Sequence, residues 1–95
     1  MKIHTTNVEG NFLGMSFGHV LRRIRQDRGL SQERLGLESG YHRTYIGLLE
    51  RGMKSPSLQT IFKLAMTLKI QPNELIRDVE SKNNELLRNM KEEGD

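Results

Sequence analysis

Between Gln32 and Lys54 the chain gathers Gln32, His42, Arg43, Thr44, Tyr45, Arg51 and Lys54, a concentration of hydrogen-bond donors in one short stretch. Guanidinium, ammonium, amide and hydroxyl groups make and break no bonds by themselves. They hold phosphate oxygens and the polar edges of flat rings. Bond-making chemistry would need other sets, and the sequence does not supply them. With no Cys there is no thiol nucleophile, no disulfide framework and no Cys-ligated zinc. His4, His19 and His42 lack metal-ligand spacing. No phosphate-cradling Gly-rich motif follows a strand pattern, no Ser/His/Asp set is placed for nucleophilic catalysis, and Glu92 and Glu93 belong to a charged tail. The expectation is a protein that is not an enzyme and that uses no metal or other cofactor.

Charge points the same way. Residues 16–77 hold eleven Lys/Arg against five Asp/Glu, a net +6, whereas residues 78–95 hold three against six, a net −3. A basic body with an acidic tail suits a polyanion-binding face. Of the 95 residues 35% are hydrophobic, enough for one small core and too few for two domains. No run approaches the eighteen or so apolar residues of a membrane span, and residues 1–10 contain no apolar stretch resembling a signal peptide. These features predict a soluble, cytoplasmic chain that makes no use of a membrane.

The elements that must position the donors follow from Gly, Pro and apolar spacing. Residues 1–15 show no clean period and are expected to form a flexible N-terminal arm. From Ser16, a cap candidate, Phe17, Val20, Leu21 and Ile24 recur at i, i+3, i+4 and i+7, and Gly29 closes this first helix. Ser31 opens a second helix of about eight residues, ended by Gly40. A third, from about His42 to Arg51, carries Tyr45, Ile46 and Leu49 on one side and stops at Gly52. Ser57 caps a fourth with Leu58, Ile61, Phe62, Ala65 and Leu68 at helical spacing, and Pro72 fits the first position of a fifth containing Leu75, Ile76 and Val79. Beyond it, Leu86, Leu87 and Met90 suggest an amphipathic helical extension. The predicted organisation is an all-α, compact five-helix domain over 16–77, with an acidic C-terminal extension over 78–95.

Helices two and three meet the demands of a tight crossing. Leu35 and Ile46 supply core contacts, Gly36 removes a side chain where the helices approach, Gly40 sits where the turn needs positive φ, and Leu49 closes the far end. Together they signal a helix-turn-helix. The run from Phe17 to Leu75, above all GLSQERLGLESGYHRTYIGLLERG at 29–52 followed by SPSLQTIFKLAMTL at 55–68, resembles the Cro/C1-type helix-turn-helix domain of phage repressors and restriction-modification controller proteins. The resemblance implies a lambda-repressor-like fold that binds operator DNA, usually as a homodimer, with helix three as the reader. Gly36, where that family generally has Ala, and Gly47 and Leu48, where it more often has polar residues, depart from the pattern.

On that resemblance each donor acquires a candidate role. The outward residues of helix three, Arg43, Thr44, Gly47 and Leu48, become base contacts. Arg43 can donate twice to guanine O6 and N7, and Thr44 and Leu48 can touch a thymine methyl. The Gln opening helix two bonds phosphate in the family, and that position is Gln32; His42, Tyr45, Arg51 and Lys54 are its expected companions on the backbone. The resemblance further implies a structural ion pair between Arg25 and Glu50. One short helix reads only a few base pairs, so a homodimer on double-stranded DNA is expected, with Ile70, Leu75, Ile76 and Val79 as interface candidates. The alternative is an antitoxin-like or adaptor module that binds another protein through the helical domain and the C-terminal tail.

Overall fold

The computed structural model describes residues 11–93, which form five helices: α1 Asn11–Asp27, α2 Gln32–Ser39, α3 Arg43–Glu50, α4 Leu58–Thr67 and α5 Pro72–Glu93. The fold is all-α. None of these helices is long and apolar enough to cross a membrane. The start of the expected arm and His4 lie outside the described residues.

Helix ends follow local chemistry. The Ser31 hydroxyl accepts from the Arg34 amide at 3.0 Å, the Ser57 hydroxyl accepts from the Thr60 amide at 3.1 Å, and each satisfies an N–H that the helix itself leaves unpaired. His42 caps α3, its Nδ1 accepting from the Thr44 amide at 3.0 Å. After α2 the chain turns at Gly40, whose φ of 86° is a left-handed conformation that a Cβ disfavours. A side chain on Gly36 would run into the Tyr41 carbonyl, so this glycine lets the turn fold back onto α2.

One core joins all five helices: Phe17, Val20, Leu21 and Ile24 from α1, Leu35 from α2, Ile46 and Leu49 from α3, Leu64, Ala65 and Leu68 from α4 and its end, and Leu75 and Val79 from α5. The most extensive packing is between α1 and α5, the two longest helices. Together they form the frame against which the shorter three are set.

Four expectations change. First, α1 begins at Asn11, so residues 11–15 are helical rather than part of an arm, and Ser16 is an interior, fully buried residue instead of a cap. Its hydroxyl lies 2.6 Å from the Phe12 carbonyl and 3.2 Å from Asn83 Oδ1 on α5, so packing along α5 sustains the added turns. Second, the expected helical extension is not a separate segment: α5 runs unbroken from Pro72 to Glu93, so the boundary expected at residue 78 falls inside one helix, beside the core residue Val79. Third, α4 turns only part of its expected face inward: Ile61, Ala65 and Leu68 pack on the core, but Leu58 and Phe62 lie outside while Thr60 and Leu64 are buried. Fourth, Leu75 and Val79 are not available to a dimer interface, since the protomer's own core takes them.

Replacing Gly40 by Val should destabilise the fold by about 1 to 2 kcal/mol, because a β-branched side chain is forced into the left-handed region. A thermal melt followed by far-UV circular dichroism checks this, and an unchanged midpoint would contradict the turn's conformational requirement.

Candidate nucleic-acid interface

The position of α3 is set by a buried polar junction. Arg25, in the last turn of α1, donates from Nε to Glu50 Oε2 at 2.6 Å and from Nη2 to Glu50 Oε1 at 3.0 Å, a two-pronged pair. The Arg25 side chain is 9% exposed and that of Glu50 2%. Arg25 Nη1 also donates to the Leu30 carbonyl at 2.7 Å, and Gln32 Nε2 donates to Glu50 Oε1 at 3.0 Å. One carboxylate at the end of α3 thus ties down the end of α1 and the start of α2, and Arg25 holds the α1–α2 turn as well. The ion pair implied by the family resemblance is present.

Backbone approach reinforces the junction. A Cβ on Gly18 would meet the Leu49 and Glu50 carbonyls at less than 3 Å, so α1 seats directly on the last turn of α3. Sequence reasoning overlooked this residue. Its signal was a glycine inside an otherwise strong helical pattern, which costs helix stability unless a close contact requires it.

The turn before α3, and Tyr45 within it, reach the start of α4 through hydroxyl groups. Tyr41 Oη lies 3.0 Å from Thr60 Oγ1, Tyr45 Oη 3.5 Å from the same atom, and Ser57 Oγ donates to it at 3.0 Å. The Tyr41 and Tyr45 rings are tilted against each other with centroids 5.1 Å apart, and Lys63 Nζ lies 5.5 Å from the centre of the Tyr41 ring. Tyr41 and Thr60 were not expected to matter; buried Thr60 gathers this set. Tyr45, expected on the phosphate side, is half-buried and turned toward α4.

What remains exposed on α3 is its groove face. Gln32, Arg43, Thr44, Gly47 and Arg51 line one open groove of about 360 Å³. Arg43, Thr44 and Arg51 are exposed, and Arg51 Nε donates to the Gly47 carbonyl at 3.2 Å, which lays its guanidinium along the helix. Gly47 lines the floor, where a Cβ would make an ordinary contact with Gln32 Oε1 at 3.6 Å. The amide of Gln32 has given one hydrogen to Glu50 and has a second free for an acceptor outside the protein. His42, with Nδ1 committed to the cap, has its Nε2 edge free, and Lys54 is exposed in the loop after α3. Leu48 is half-buried on the flank and does not line the groove. The groove therefore brings together five of the nine expected DNA contacts, and His42, Tyr45, Leu48 and Lys54 do not line it. Among the described residues, no group of three or more His, Asp and Glu converges as metal ligands.

The fold is shared with known proteins. The family model described as Helix-turn-helix matches residues 21–75. The chain is 40% identical over 67 residues to the control protein C.BamHI of Bacillus amyloliquefaciens, covering 70% of this chain and 83% of that protein. It is 36% identical over 59 residues to an uncharacterized HTH-type transcriptional regulator of Sinorhizobium fredii, covering 62% of this chain and 77% of the relative. Among solved structures, the restriction-modification controller protein C.AhdI of Aeromonas hydrophila superposes with a TM-score of 0.64 at 48% identity, over 65% of this chain and 94% of that one. These relatives are regulators and control proteins by name.

Substituting Arg25 by Met should cost about 3 to 5 kcal/mol, because it leaves the Glu50 carboxylate buried without its cation. Combining it with Glu50→Leu should recover part of that loss. Urea unfolding of the two single variants and the double variant reads the coupling, and strictly additive losses would contradict the junction.

Proposed function

The chain belongs to the helix-turn-helix family whose model spans residues 21–75, and from that premise we propose that this DNA-binding transcriptional regulator reads an operator with α3 in the major groove, as a homodimer acting in the cytoplasm. The observation that carries the reading is the single groove shared by Gln32, Arg43, Thr44, Gly47 and Arg51, on the exposed side of a helix whose other side is locked to α1 and α2. A major groove about 12 Å wide admits one helix with its side chains. Arg43 then meets a guanine edge and Thr44 a neighbouring base. Gly47 lets the helix approach closely.

Gln32, at the start of α2, is suited to a phosphate on two counts: a free amide hydrogen and the unpaired N–H groups of a helix N-terminus. Arg51, Lys54 and the free edge of His42 extend the backbone contacts on either side. Tyr45 is better read as the prop between α3 and α4, and Leu48 as a flank residue.

Dimerisation is supported by a face of α4 that the protomer leaves open. Leu58, Phe62 and Met66, one turn apart along the helix, are 70%, 49% and 74% exposed. Ile76 on α5 is exposed as well, and Ile70 is half-buried in the connection between the two helices. A stripe of this kind can pack on its own copy about a two-fold axis, each residue meeting its symmetry partner's face. The interface is thus centred on α4, with Ile70 and Ile76 at its border. An adaptor function through the C-terminal helix is less favoured, because that helix already packs along α1.

Two measurements test the reading. Arg43→Ala should lose about 1 to 3 kcal/mol at the selected site and relax preference at one base pair, whereas Gln32→Ala should weaken all sequences similarly, and equal losses on every sequence for both would refute the roles. Wild-type affinity should fall roughly 10³- to 10⁵-fold between 50 and 200 mM salt, while a salt-indifferent association with a protein would favour the adaptor reading. For the dimer, Phe62→Glu should give a folded monomer by sedimentation velocity and reduce operator affinity about a hundredfold or more. A variant that remains dimeric would remove α4 from the interface.

A further inference from the structure

The reading of α3 leaves one charged residue beside Arg43 without a role. Glu33 occupies the first turn of α2, where a carboxylate favours the helix N-terminus. It is exposed, and beside a polyanion an exposed carboxylate repels, so helix stability alone is a poor reason for it to face this surface. Its geometry supplies another. Glu33 Oε2 lies 3.5 Å from Arg43 Nη1, and both residues line a second groove with Leu37, Tyr41 and His42. The side chain assigned to reading a base is therefore met from behind by a carboxylate on the preceding helix.

An arginine with no such partner has many rotamers, and fixing one of them on binding costs affinity. It can also swing to the nearest phosphate, which carries no sequence information. A carboxylate on one terminal nitrogen leaves the remaining N–H groups of the planar fork free for a guanine O6 and N7 pair. Resting on the reading of α3 as the helix in the major groove, we propose that Glu33 is a specificity-determining positioning residue. Its carboxylate buttresses the Arg43 guanidinium and directs it to a base rather than to the backbone. The consequence is selective: Glu33 governs discrimination at the base pair read by Arg43 and contributes no general grip on DNA.

The test uses the full-length protein, a selected duplex and the same duplex altered at single base pairs, with Arg43→Ala, Glu33→Gln, Glu33→Asp and the Arg43→Ala/Glu33→Gln pair compared at fixed salt. Glu33→Gln should reduce discrimination at the Arg43-dependent base pair by roughly two- to fivefold, with preferences elsewhere unchanged. Glu33→Asp retains the charge but withdraws it by one methylene, and should also lose discrimination there. The double variant should discriminate no worse than Arg43→Ala alone. If Glu33→Gln changes affinity by one common factor on all duplexes, or Glu33→Asp behaves as wild type, the carboxylate acts through charge alone and the buttress is overturned. If Arg43→Ala keeps its base preference, the reading of α3 fails and this inference falls with it. Thermal midpoints of the variants separate either result from a loss of folding.

Discussion

Everything this fold presents to solvent on α3 depends on the carboxylate of Glu50. Two prongs from Arg25 and one from Gln32 converge on it, and it is almost wholly removed from water. A buried ion pair contributes little net stability relative to a well-packed apolar pair, since desolvation offsets most of the attraction. What it does supply is geometry. A guanidinium and a carboxylate meet in one planar arrangement, so the end of α1, the start of α2 and the end of α3 can be brought together in only one relative orientation.

That orientation serves function through Gln32. The same amide that steadies Glu50 keeps a hydrogen free on the outer side, so a phosphate docked at the start of α2 would be linked through two hydrogen bonds to the end of α3. On the proposed reading, a structural tie and a phosphate contact would share a single side chain. On the opposite flank the Thr60 hydroxyl plays the corresponding part, collecting Tyr41, Tyr45 and Ser57 at the start of α4. With both flanks fixed, α3 needs little internal stability of its own. This suits a helix of eight residues that would be marginal in isolation.

Much of this was legible in the residues. Caps at Ser31 and Ser57, the turn at Gly40, the stripe from Phe17 to Ile24 and the outward triplet Arg43, Thr44 and Gly47 are local features that tertiary packing preserved. The misreadings came where local pattern and tertiary contact disagree. Ser16 looks like a capping residue yet lies against α5, and a Cβ on Gly14 would sit 3.4 Å from the Gly52 carbonyl oxygen. In α4, Leu58 and Phe62 share the helical spacing of core residues, and periodicity alone cannot say which of two apolar faces turns inward. Burial of Thr60 was hidden because a hydroxyl is an unusual core group until its partners, Tyr41 and Ser57, are known. Leu75 and Val79 were assigned to a second copy because the core's appetite for α5 was underestimated.

The central claim is that α3 enters the major groove with a guanidinium on guanine. Methylation interference on a duplex selected from a random pool addresses it most directly, because guanine N7 opens onto the major groove and adenine N3 onto the minor. The account predicts that N7 methylation of one guanine in each of two symmetric half-sites, centred about 34 to 36 Å apart or a multiple of that, abolishes binding while N3 methylation of adenines is tolerated. Interference confined to adenine N3, or binding indifferent to N7 methylation throughout the site, would contradict it.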